Sequence, residues 1–295
     1  MAEFFGINIF AVSIIAFLFR PLESVVPVEQ WESRRPTRID MIYTLMKAFG
    51  LVPIFTFFLI LPLGRLVDGL VGAGDGPSGL PALIPWFQSH ELAMFIVAFF
   101  ILDLTQYVIH RLQHALPWWW ALHSLHHSQR YLSVWSDDRN HLIDDILEGL
   151  IQGVVGMIIG VDPDKYVTLI LFGKLVESFS HANVSIRFGR VLDKLFVDPQ
   201  FHRAHHRMAN PEEPDLHNCN FALVFPVWDI IFRTANYDGR VLPCGVDTPE
   251  VDADNQRNWL GQQVAGAKRL WRALPRRQPI EIATESATSP PAERH

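Results

Sequence analysis

Five histidines fall within residues 103–127, DLTQYVIHRLQHALPWWWALHSLHH: His110, His114, His123, His126 and His127. Three more, His202, His205 and His206, fall within residues 201–206, FHRAHH. The chain has 13 His in 295 residues, so the stretches 110–127 and 202–206 would hold about one by chance. They hold eight. Neutral imidazole is the commonest protein ligand for a transition metal. A zinc ion takes about four ligands, so eight imidazoles suit two ions with four or five nitrogens each.

The spacing asks for helices. Asp103, Tyr107, His110 and His114 are 4, 3 and 4 apart and share one helical face. In HSLHH and HRAHH a helix sets two imidazoles one turn apart, with the third on the flank. Asp103, an acid within an apolar run, either orients a ligand imidazole or pairs with another helix. Glu177 stands four residues before His181, able to orient it; Lys174 is equally placed to pair with Glu177. Trp118, Trp119 and Trp120 read as an interfacial belt or as helix packing. Asn183, Asn218 and Asn220 are candidates for holding site waters. Trp228 and Asp229 read as structural. His90 and His217 are not expected to bind metal, and SHELAM lacks the HExxH spacing of a zinc protease.

HRLQH, HSLHH and HRAHH together resemble the histidine boxes of the fatty acid hydroxylase/sterol desaturase superfamily. The flanks are similar too: Arg139-Asn140-His141 followed by Asp144, FSHAN at 179–183, DPQF at 198–201, NFA at 220–222 and WDIIFRT at 228–234. The resemblance covers roughly residues 95–235. Ala222 and Arg233 stand where the family usually has glycine, and Ser185 stands where some members have a further histidine. The resemblance implies an integral-membrane, non-haem di-iron oxygenase. It implies two iron ions, for which zinc is able to substitute in preparations. It adds His181, and His141 as a tenth ligand, to the eight box residues, which form the catalytic set. It implies dioxygen, a membrane lipid (sterol, fatty acyl or related) and hydroxylation or desaturation of one C–H bond. A histidine-rich metal transporter and a membrane haem protein are the competing readings.

Composition agrees with a membrane protein. Hydrophobic residues make up 49% of the chain, gathered in blocks. A net charge of −6 argues against a nucleic-acid partner. Cys219 and Cys244 form no CxxC and imply no disulfide framework. With no haem-attachment, ferredoxin or nucleotide motif, electrons must come from a separate donor, a ferredoxin or a small cytochrome with its reductase.

The elements that must position the boxes follow from hydropathy. Residues 4–19 and 41–63 read as spans, the second with Lys47 snorkelling and Pro53 kinking it. Residues 64–89 read as a loop on the far side, and 90–114 as a third helix ending in the first box. Residues 143–161 and 165–180 either cross or form a re-entrant hairpin. Arginine and lysine concentrate in 20–40, 110–142 and beyond 186, which places every box in the cytoplasm by the positive-inside rule. The expected fold is all-α: a bundle of about three to five membrane helices with a cytoplasmic helical cap. Residues 1–89 form the N-terminal membrane part, 90–240 the catalytic domain, and 241–295 a polar, partly disordered tail.

Overall fold

A computed structural model describes residues 2–51, 58–59, 62–63, 66, 77–210, 212–213 and 218–274. Pro53, His217, residues 64–65 and 67–76 of the expected loop 64–89, and the residues from 275 lie outside them. Every element among the described residues is helical, and the one bridge, Arg207 with Cys244, is isolated.

Helix α1 (Ala2–Ile14) passes through a π turn (Ile15–Phe19) into α2 (Arg20–Val25). The stretch Gly6–Val25 is long and apolar enough to cross a bilayer, and it extends further than the expected 4–19. Its anchor is Glu23, fully buried, which accepts from Val134 N (2.9 Å), Asn183 N (3.0 Å) and Arg34 (2.8 Å). Helix α3 (Arg38–Met46) follows, and then α4 (Gly79–Leu83).

Helix α5 (Glu91–Ala115) has 25 residues and is ~37 Å long, enough to cross and to project beyond the hydrocarbon. Leu92, Ile96, Phe100, Val108 and Leu112 recur in fours and are exposed, a stripe suited to lipid. Met94, Ala98, Leu102, Gln106 and Gln113 are buried on the other side. Pro117 bars continuation and opens α6 (Pro117–His127). Helices α7 (Leu142–Ile159) and α8 (Pro163–Ser180), each 18 residues, follow one another across a short turn. Gly160 joins them in the left-handed region (φ 74°), and any Cβ there would overlap the Ser78 carbonyl. Gly6–Val25 and Glu91–Ala115 are the described helices that meet the requirements of a span.

The rest of the chain wraps the boxes with short helices: α9 (Gly189–Leu192), α10 (Pro199–His205), α11 (Val227–Ile231) and α12 (Pro249–Asp252). Asp198 caps α10 by accepting from Phe201 N at 2.8 Å. Within the region from 241, expected to be a polar and partly disordered tail, lies a 15-residue helix, α13 (Trp259–Ala273), packed along α6. Arg269 donates to the Ala121 carbonyl (3.1 Å) and to Asp254 (2.8 Å). Arg233, at a family glycine position, takes φ 59°, a conformation glycine adopts without strain.

Candidate metal centre

Nine histidines come together in two groups. His110, His114, His123, His127 and His205 form one; His126, His181, His202 and His206 form the other. Within each group the ligand atoms all lie within 4.8 Å of one another. The division follows helical geometry. The four-residue pairs His110/His114, His123/His127 and His202/His206 stay together, while His126 and His205 cross to the opposite group. The groups touch: the His127 and His206 rings stack with centroids 4.4 Å apart.

The donor set fits a pair of cations. His205 Nδ1 faces the Cys219 carbonyl at 2.7 Å, His110 Nδ1 the Phe221 carbonyl at 2.8 Å, and His181 Nδ1 the Glu177 carbonyl at 2.8 Å. Each of those Nδ1 atoms must therefore carry the proton, which leaves a lone pair on Nε2. The Nε2 atoms then point at one another. His127 and His205 are 3.1 Å apart, His114 and His127 3.0 Å, His126 and His181 3.2 Å, and His181 and His202 3.1 Å. Nε2 of His110 and of His123 are buried without a hydrogen-bond partner. A cation seated between these converging nitrogens would satisfy them together, whereas an N–H···N bond serves one pair at a time. Two nitrogens ~2.1 Å from one ion and about 95° apart would stand ~3.1 Å from each other.

The imidazoles are suited to hold that charge at neutral pH. Burial, and then neighbouring histidines, hold His126, His127, His202, His205 and His206 well below the ordinary histidine value. Burial pushes His181 down to about 4. All six are therefore neutral and able to ligate.

Asp144 is the main support for His123. It accepts from Trp119 Nε1 at 2.6 Å, Gln113 Nε2 at 2.8 Å and His123 Nδ1 at 3.2 Å, so one buried carboxylate joins α5, α6 and α7. The Asn218 side chain hydrogen-bonds His114.

His141 stands outside both groups. Its Nε2 bonds the Gln263 carbonyl (2.8 Å) and its Nδ1 accepts from Ile143 N (3.2 Å), capping α7 against α13. Both nitrogens are thereby taken, so the tenth ligand expected there is not supplied. His90 stacks on Trp86 at 3.9 Å, away from the centre. Asp103 does not reach an imidazole. It accepts from Val224 N, Phe225 N and Trp228 Nε1, binding α5 to the loop before α11. Asp229 likewise holds Phe221 N and Ala222 N. Glu177 orients His181 through its backbone carbonyl, not its carboxylate. The turn at 136–138 brings carboxylates between the helices, so Lys174 pairs with Asp137 (2.6 Å) and Asp138 and Lys47 with Asp138 (3.4 Å), while Lys47 also meets Asp145 of α7 (3.0 Å). Asn183 binds the Glu29 backbone at both ends of its amide, and Asn220 the carbonyls of Phe201 and Asn236. Sequence reasoning missed Glu23; an acid ending a span beside Arg20 and ahead of Arg34 was its signal.

Residues 95–234 match the fatty acid hydroxylase family, the family that the boxes resemble. Among curated relatives, the ornithine lipid hydroxylase OlsE of Rhizobium tropici is 27% identical over 149 residues, 50% of this chain and 43% of its own length. The alkylglycerol monooxygenase of Homo sapiens is 26% identical over 212 residues, 64% of this chain and 45% of its own. That of Caenorhabditis elegans is 26% identical over 151 residues, 51% of this chain and 28% of its own. The chain thus spans less than half the length of each of these relatives. No solved structure matches it.

Proposed function

We propose that the fatty acid hydroxylase region at 95–234 is the catalytic part of a membrane-bound di-iron oxygenase that hydroxylates a lipid. The observation that carries this reading is the convergence of nine imidazoles into groups of five and four. Among the described residues no carboxylate joins either group, unlike the Glu-rich di-iron sites of soluble bundles. A haem reading is disfavoured, because ring nitrogens 3.0–3.2 Å apart leave no room for a macrocycle between them.

His110, His114, His123, His127 and His205 would hold one iron, and His126, His181, His202 and His206 the other. When bound, the irons supply the activation of dioxygen needed to attack an unactivated C–H bond. The balance is one dioxygen, two electrons and two protons per C–H bond, giving an alcohol and one water. The protein's own part is to keep the imidazoles neutral and aimed, through carbonyls 177, 219 and 221 and the Asp144 carboxylate. It also keeps bulk water off the buried four-histidine group. The relatives' names, hydroxylase and monooxygenase, favour hydroxylation over desaturation and point to a polar lipid with a long alkyl or acyl chain. Electrons come from a separate donor. The N-terminus lies outside and the centre at the cytoplasmic boundary of a multi-pass bundle; reporters fused after residues 130 and 200 should read as cytoplasmic.

The test is mass spectrometry of lipids from cells with and without the protein, grown under heavy-isotope dioxygen, beside iron per chain. A lipid gaining one labelled oxygen is expected. An unchanged lipid profile with both irons present would overturn the reading.

A further inference from the structure

The two histidine groups differ in what covers them. All four members of the His126 group are buried, none more than 4% exposed. In the five-histidine group His114 is only half-buried. Two aromatic rings stand against that group. Phe221 lies 5.2–5.6 Å from the rings of His110, His114 and His205, but it is 2% exposed and forms the inner wall. Trp120 lies 5.0 Å from His114 and 5.4 Å from His127, and it is half-buried at the outer rim. Asn218, exposed and bonded to His114, stands at the same rim.

The three consecutive tryptophans therefore have separate tasks. Trp119 is buried and donates to Asp144. Trp118 stacks on Trp119 with centroids 5.1 Å apart. Trp120 alone of the three has its ring against ligand imidazoles. An indole is a broad, rigid, apolar plate with a polar edge. Binding sites for apolar molecules are lined by such plates around a few polar groups. A misplacement of 1 Å at a reacting carbon costs about 10²-fold, so a plate beside the centre decides which carbon is presented.

We propose that the alkyl chain of the substrate meets the centre on its five-histidine side, lying against Trp120, and that this indole selects the carbon oxidised. The proposal rests on the oxygenase reading for its chemistry, but the binding it describes is measurable without turnover.

Two variants test it, Trp120→Phe and Trp120→Ala. Protein loaded with cobalt reports the ligand environment by visible absorption, and a hexadecyl glycerol ether serves as probe. Wild type and Trp120→Phe should show a saturable spectral change. In Trp120→Ala the apparent Kd should rise about tenfold, the loss expected for truncating an aromatic contact of the kind that anchors interfaces. With iron, dioxygen and a chemical reductant, wild type and Trp120→Phe should oxidise one carbon, and Trp120→Ala should spread product to neighbouring carbons. Unchanged affinity and unchanged product position in a fully metallated Trp120→Ala would overturn the proposal. Loss of metal in that variant would also overturn it, since the indole would then only brace His114 and His127. A cobalt response that needs Trp120, with no product from the wild type, would support the binding site and sink the hydroxylase reading.

Discussion

Replacing Asp144 by asparagine should cost one metal and spare the other. The carboxylate uses one oxygen for Trp119 and Gln113 and the second for His123 Nδ1. An asparagine can place its carbonyl toward Trp119 and Gln113, but its amide N–H2 then faces His123. That imidazole has to move its proton to Nε2, the atom turned to the centre, and can no longer donate a lone pair there. The lost charge-assisted bond is worth about 1.5–3 kcal/mol, and removing such a partner typically weakens metal binding ~10–100-fold. Asp144 bonds none of His126, His181, His202 or His206, so the four-histidine ion should stay. Chelator competition followed by metal analysis should give a biphasic curve, with half of the iron lost early. Asp144→Ala should in addition lower thermal stability, since each of three buried donors left unpaired costs about 1–3 kcal/mol. A single-phase curve for Asp144→Asn that superimposes on wild type would refute the tautomer argument.

His206→Ala should abolish turnover and lower the iron content of the four-histidine group, while His141→Ala should keep both irons and lose thermal stability, because His141 joins α7 to α13. Equal iron loss in both variants would show that His141 is a ligand after all. Acidification should destabilise the metal-free protein. His181 binds its proton only near pH 4 in the fold but near ~6.5 unfolded. The unfolded chain therefore holds more protons between those values, and stability falls as pH drops through them, by about 2 kcal/mol from this residue between pH 7 and 5. Thermal unfolding at the two pH values in the presence of chelator measures it, and a higher melting temperature at pH 5 would contradict the sign.

The sequence by itself named the nine histidines that the structure brings together, most of the helices that carry them and the apolar character of α5. Box spacing is a local property: a four-residue interval puts two imidazoles on one face whatever lies across from them. Hydropathy is local too, which is why residues 91–115 and the start of the chain were legible as helices apolar enough to cross a bilayer. What only the tertiary structure decided was the assignment of partners. His126 and His127 are neighbours in the chain yet serve different groups, because consecutive side chains on a helix point about 100° apart and α6 lies between them. His141 sits in a motif that looks like a ligand but meets Gln263 and caps a helix, because α13 folds back over it. Lys174 and Glu177 share a face, yet the lysine goes to Asp137, a carboxylate 37 residues away in sequence. Asp103 goes to backbone amides some 120 residues on. A buried charge or donor takes the best partner that packing brings within ~3 Å, and nearness in space is set by how helices fold against one another, which no local pattern encodes.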